Sequence, residues 1–335
     1  MTEPTLHHVV CPGAAAPDSG FAQAATHHRM AYWEWNDTGN PQHPHVLVCA
    51  HGLTRQGRDF DTLARALSPH MRVVCPDVAG RGHSDWLAEP MGYQVPQYAA
   101  DMLCLLAQLQ QAAPITTLDW VGTSLGGLIG MALCGQPGLA VPDAPVNADA
   151  APPTPTPLVG SHWPLAVPVR KLVLNDVGPV LQWDALQRIG QYVGQPVRFA
   201  NLQQAADALW AISTSFGPHT PAQWLALSAP MVRPLPDGSL RLHYDPAIAT
   251  AFKALTPEMA AANEVSLWQL YDHIRAHTLL LRGAQSDLLT GATVQAMSTR
   301  GPRPACLEFA GVGHAPTLVA DDQVNAVRTF LLAQP

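Results

Sequence analysis

The chain has 335 residues, 47% of them hydrophobic and only 13% charged, a balance that describes a packed globular protein and excludes disordered and fibrous classes. A formal charge of -7, with no basic cluster set against it, excludes nucleic acid and an anionic membrane surface as main partners. The six cysteines are scattered without C-x-x-C spacing, the first residues lack a basic-then-apolar leader, and no apolar run reaches a membrane span, so a cytoplasmic protein with reduced thiols is expected.

Residues 1–28 are polar, rich in Ala and Pro, and expected to form a loose arm. Arg29 to Trp35 alternates as a strand does, and Val46 to Ala50 is a short apolar run suited to a strand covered on both faces. Asp59 to Leu67 has helical spacing and stops before Pro69; Arg72 to Asp77 is the next buried strand, and Gln97 to Gln110 a strongly amphipathic helix. A strand then leads into Ser124 and a helix leaves it. The stretch 137–168, rich in Pro and Ala, is expected to be a surface insertion, after which Val169 to Val173 resumes the sheet.

From Val180 to about Ala276 the pattern turns mainly helical, at Leu181–Tyr192, Leu202–Phe216 and Pro221–Leu227, with a turn at Pro236-Asp237-Gly238-Ser239 between short extended pieces. Thr278 to Gly283 returns to a buried strand, Thr293 to Ser298 reads as a helix, Ala305 to Ala310 as the last strand and Asp321 to Leu332 as a closing helix. Strands that alternate with helices predict an α/β class with a mostly parallel central sheet flanked by helices. The expected organisation is a core of residues 29–179 and 277–335 carrying an inserted helical cap at 180–276.

Gly122-Thr123-Ser124-Leu125-Gly126 fits G-x-S-x-G, a sharp strand-to-helix turn that lifts one hydroxyl above a sheet. A serine hydroxyl attacks only when a base removes its proton, and the base needs a third group to orient it. His314, in Gly311-Val312-Gly313-His314, follows the last strand downstream of the serine and is the candidate base. Two acids close strands at the same sheet edge: Asp287 is the first candidate and Asp176 the alternative. Donors for an oxyanion are expected from the backbone N–H of Leu125 and of Leu53. His51 and the cap aromatics Trp183, Trp210, Phe216, Trp224 and Trp268 are candidate pocket residues.

The histidine pairs His7-His8, His27-His28 and His43/His45 are read as loop residues without a metal-ligand array, and Gly80 and Gly82 do not lead from a strand into a dinucleotide-binding helix. No metal and no cofactor is expected.

Four ordered motifs together resemble one family. Ala50-His51-Gly52-Leu53 is similar to the oxyanion loop of the α/β-hydrolase superfamily, Asp77 to Ser84 to its D-x-x-G-x-G-x-S loop, and Gly122–Gly126, Asp287 and Gly313-His314 to its nucleophile, acid and base positions. The resemblance covers Val46 to the C-terminus and is strongest to the bacterial esterase and enol-lactonase branch, whose helical cap lies between sheet strands six and seven. Asp287 stands four residues after Gly283, where that family commonly places the acid three after, which keeps Asp176 open. The resemblance implies an α/β-hydrolase fold and a serine esterase that acts on small carboxylic esters through an acyl-enzyme. A lactonase or C–C bond hydrolase is the alternative, and a ligand-binding protein on the same scaffold is the reading from another class. The expected partner is a small ester or lactone, and oligomeric state is left open.

Overall fold

A computed structural model describes residues 3–13, 27–136 and 167–334. Its strands are β1 (Thr5–Pro12), β2 (His27–Trp35), β3 (His45–Ala50), β4 (Arg72–Asp77), β5 (Thr117–Thr123), β6 (Val169–Asn175), β7 (Arg198–Phe199), β8 (Val232–Pro234), β9 (Leu240–Leu242), β10 (His277–Gly283) and β11 (Ala305–Phe309). Its helices are α1 (Asp61–Leu67), α2 (Val95–Ala112), α3 (Leu125–Cys134), α4 (Trp183–Tyr192), α5 (Leu202–Ser213), α6 (Pro221–Ser228), α7 (Ile248–Lys253), α8 (Pro257–His273), α9 (Gly291–Thr299) and α10 (Asp321–Leu332).

Eight strands form one sheet in the order β1-β2-β4-β3-β5-β6-β10-β11, parallel from β4 to β11 and antiparallel where β1 meets β2 and β2 meets β4. Alternation along β3 sends Val46, Val48 and Ala50 to one face and Leu47 and Cys49 to the other. Met102, Leu105 and Leu109 of α2 and Ile129 and Leu133 of α3 cover the first face. Leu63 and Leu67 of α1 and Val324, Val327 and Leu331 of α10 cover the second. Because both faces are buried, the central strands need no polar alternation, which is why they read as plain apolar runs. Each such Val or Leu contributes about 1.5–3 kcal/mol relative to exposure.

Two expectations change. The loose arm is wrong for Thr5–Pro12, which form β1 and pair along their whole length with β2, from Thr5 opposite Glu34 to Pro12 opposite His27. As an edge strand β1 buries chiefly Val9 and Cys11, so its letters stay polar and the pattern hides the strand. His7 and His8 therefore lie on β1, and His27 and His28 on β2, not in loops. The rest of the expected arm, 14–26, and nearly all of the expected insertion, 137–166, lie outside the described residues.

Between β6 and β10 the chain carries α4 to α8 and a separate sheet ordered β7-β9-β8. The turn expected at Pro236–Ser239 joins β8 to β9, closed by Leu235 N–H donating to the Ser239 carbonyl at 2.7 Å. Ala206, Leu209, Trp224, Leu227 and Met231 form a small core of this segment's own. Among the described residues, no helix is long and apolar enough to cross a membrane.

Candidate active site

The turn between β5 and α3 sets the position of Ser124. Its φ of 51° and ψ of -113° lie where a residue with a Cβ is strained, and the surrounding backbone holds it there. Ser124 N–H donates to the Asn175 carbonyl at 3.0 Å. A Cβ on Gly126 would collide with the Ala50 carbonyl, and one on Gly122 with the backbone of Gly126, so strand and helix can approach only through glycine at both positions.

The loop after β11 brings His314 across the sheet edge. Its Nε2 lies 3.0 Å from Ser124 Oγ, and its Nδ1 lies 2.7 Å from Asp176 Oδ2. Since a carboxylate only accepts, Nδ1 carries the proton, and Nε2 is left to accept from the serine hydroxyl. Asp176 is fully buried at the end of β6. Its Oδ1 accepts the Gly283 N–H at 2.9 Å and its Oδ2 the Ser286 hydroxyl at 2.6 Å.

The expectation for the acid is thereby corrected. Asp287 points away to the surface, where it makes a bidentate ion pair with Arg188 of α4 at 2.7 and 2.9 Å. The position three residues after Gly283 belongs to Ser286, whose hydroxyl supports Asp176. The loop after β10 thus supplies a hydrogen-bond donor, and the loop after β6 supplies the carboxylate. Asn175, which the sequence did not single out, ties the parts together: its side-chain amide donates to Thr123 Oγ1 at 2.9 Å and to the Pro316 carbonyl at 2.8 Å.

The segment after β3 faces Ser124 from the other side. A Cβ on Gly52 would stand 3.8 Å from Ser124 Cβ, so the Gly52 backbone passes in contact with the serine. The Gly52 carbonyl accepts from His51 Nδ1 at 2.7 Å and from Arg55 N–H at 3.2 Å. In a trans peptide the N–H points opposite to the carbonyl, so these two bonds also fix the direction of the Leu53 N–H. Buried Arg81 holds the next peptide, with Nε donating to the Leu53 carbonyl at 2.8 Å. Leu125 opens α3, where N–H groups have no intrahelical acceptor, and so has a donor to offer.

His51 is not a pocket residue, which is a second correction. It is fully buried, its Nε2 accepts the Val78 N–H at 2.9 Å, and burial pushes its pKa down to about 3. The neutral ring is a spacer between two backbone segments. The tryptophans part company too. Trp183 packs with Ala185, Leu186 and Leu288, and Trp268 meets Tyr271 edge-on with the Arg300 guanidinium 4.3 Å above its ring. Trp210 belongs to an aromatic group with Trp224 and His219, and His219 Nε2 lies 2.8 Å from Thr317 Oγ1, three residues beyond His314. Ser215 reaches the base loop directly: its carbonyl accepts the Gly313 N–H at 2.5 Å and its hydroxyl donates to the His314 carbonyl at 3.2 Å.

Comparison with known proteins agrees with this architecture. A family model described as the alpha/beta hydrolase fold matches residues 45–320. The chain is 48% identical over 323 residues to a 3-hydroxybutyrate-oligomer hydrolase of Cupriavidus necator, covering 95% of this chain and 98% of that protein. It is 26% identical over 295 residues to a pimeloyl-(acyl-carrier protein) methyl ester esterase of Xanthomonas campestris, covering 88% and 97%. The crystal structure of an alpha/beta hydrolase from Novosphingobium aromaticivorans superposes with a TM-score of 0.73 at 31% identity, covering 99% of each chain. The chain therefore belongs to the alpha/beta hydrolase fold family, and within it is an enzyme of the carboxylic ester hydrolase type.

Proposed function

We propose that this enzyme cleaves the ester bonds of short 3-hydroxybutyrate oligomers through an acyl-enzyme on Ser124. The observation that carries the reading is the hydrogen-bonded series Ser124–His314–Asp176, with 3.0 and 2.7 Å between heavy atoms. Ser124 Oγ attacks the ester carbonyl while His314 Nε2 takes its proton. Asp176 holds the imidazole in the Nδ1–H tautomer and stabilises the imidazolium. The Leu53 and Leu125 N–H groups hold the oxyanion. The tetrahedral adduct collapses as His314 returns the proton to the leaving alkoxide, which departs as the free hydroxyl end of one fragment. Water activated by His314 then releases the other fragment as a carboxylic acid and restores Ser124. The segment 180–276 acts as the cap, and Trp210 and Phe216 are its pocket residues nearest the base loop.

The substrate class rests on the 48% identity to the oligomer hydrolase and on Arg55. Such oligomers end in a carboxylate. Arg55 stands beside the Gly52 turn, with its guanidinium 5.8 Å from the Phe216 ring centroid. Nε and Nη2 are held by Asp59 at 2.6 and 2.7 Å, and Nη2 also meets the Leu227 carbonyl at 3.4 Å. Nη1 has no partner among the described residues, so two N–H donors are free for a terminal carboxylate.

The test is release of 3-hydroxybutyrate from its linear dimer. Ser124→Ala should lower kcat at least about 10,000-fold with an unchanged fold, and near-normal turnover would refute the mechanism. Arg55→Gln should raise KM for the dimer roughly 10-fold and leave the dimer methyl ester unaffected, since a charge-assisted bond contributes about 1.5–3 kcal/mol. Equal effects on both substrates would remove Arg55 from substrate reading.

A further inference from the structure

At the opposite side of the sheet from the base loop, the β1–β2 edge and α2 bring together four groups that the hydrolytic reaction does not use. Cys11 of β1 stands directly opposite His28 of β2 in the strand register. Asp101 and Cys104 lie three apart on α2, hence on one face of that helix. His28 Nε2 meets Asp101 Oδ2 at 3.0 Å, and one donor atom each from Cys11, His28 and Asp101 fall within 4.8 Å of one another. The Cys104 thiol adjoins that of Cys11 but lies outside that group of three. Cys11, His28 and Asp101 are buried, among Val9, Met30, Met102 and Leu105.

We propose that these residues form a structural site for a zinc ion, with Cys11, His28 and Asp101 already converged as ligands and Cys104 turning inward as the fourth on binding. Two thiols, an imidazole and a carboxylate are the donor set that zinc favours over harder cations. The size fits as well. Two N or O ligands of a tetrahedral zinc stand about 3.3 Å apart, close to the 3.0 Å between His28 and Asp101. Two ligands from a strand pair and two from one turn of a helix is also how ββα zinc modules hold their ion.

The surroundings are built for the same purpose. Gln97 Nε2 donates to Asp101 Oδ1 at 2.7 Å and to the Pro12 carbonyl at 2.9 Å, so one carboxylate oxygen is fixed from outside and Oδ2 faces inward. His28 Nδ1 is buried with no hydrogen-bond partner among the described residues. A His–Asp hydrogen bond accounts for two of the four groups and a long contact of the Cys11 thiol with the Asp101 carbonyl, 3.9 Å, for a third; neither accounts for a second thiol beside them. Binding would release the two thiol protons to solvent and clip the edge strand to the helix beneath it.

The experiment is zinc analysis of full-length protein purified without chelator, followed by cobalt titration of the stripped protein. We expect about one zinc per chain, thiolate-to-cobalt charge-transfer bands in the near ultraviolet, and a fall of several degrees in Tm on stripping. Cys104→Ser and Cys11→Ser should each lower the retained zinc at least about 10-fold and weaken those bands. The cobalt titration needs no variant, so a misfolded Cys11→Ser would not spare the idea. Absence of both zinc and thiolate bands overturns the site. So does zinc content unchanged in the two variants, or a Cys11–Cys104 disulfide found by thiol titration of the denatured, unreduced protein.

Discussion

The loops after β6 and β10 each place an aspartate at the same edge of the sheet, and the two fare differently. Asp176 is fully buried and receives His314, the Gly283 N–H and the Ser286 hydroxyl, whereas Asp287, with its side chain 46% exposed, meets only Arg188 among the described residues. A buried carboxylate surrounded by donors keeps one position, while an exposed one shares its field with water and salt. Strand-end location is common to both; saturation with donors separates them.

The comparison breaks most sharply at Asp176. Asp176→Asn should cost roughly 10,000-fold in kcat, because an amide facing Nδ1 favours the wrong imidazole tautomer. Activity within 10-fold of normal, with the fold verified by circular dichroism, would return the acid to another residue. A middle-sized effect belongs to His51, the other buried and fully bonded group at this edge. Its folded pKa of about 3 lies below the usual value near 6.5, so its contribution to stability is complete above 6.5 and is lost as pH falls toward 3. The slope is about 1.4 kcal/mol per pH unit. Urea midpoints of the wild type and His51→Gln, taken at pH 7 and pH 5, should show the wild-type advantage shrink by about 2 kcal/mol on acidification. An advantage that holds constant would mean the ring takes up a proton freely in the fold. The smallest effect is at Asp287. Asp287→Asn should leave kcat within about twofold and change stability by less than about 1 kcal/mol, as expected of a solvent-screened pair.

Much of this site was legible because backbone crowding demands glycine. Gly122 and Gly126 mark the one place where β5 and α3 nearly touch, and they are in the letters. Which acid reaches His314 was not legible, because it depends on how the loops after β6 and β10 divide the space between them. Ser286 fills the position where the sequence pattern seeks an aspartate, and only its contact with Asp176 reveals the exchange. The strand β1 escaped for a different reason: at a sheet edge one face is wet, and His7, His8 and Val10 leave little apolar periodicity to read. The helix α8 fully buries only Tyr271, so its pattern is too weakly one-sided to stand out. His51 misled because its motif identifies the loop, while the ring's burial and partners decide what it does there.

The double grip of Ser215 on Gly313 and His314 has a mechanical consequence. Any motion that lifts the turn after α5 away from the base loop pulls on the imidazole at the same time. A doorway for substrate therefore has to open along another seam, or else each opening switches the proton acceptor out of line until the door shuts again.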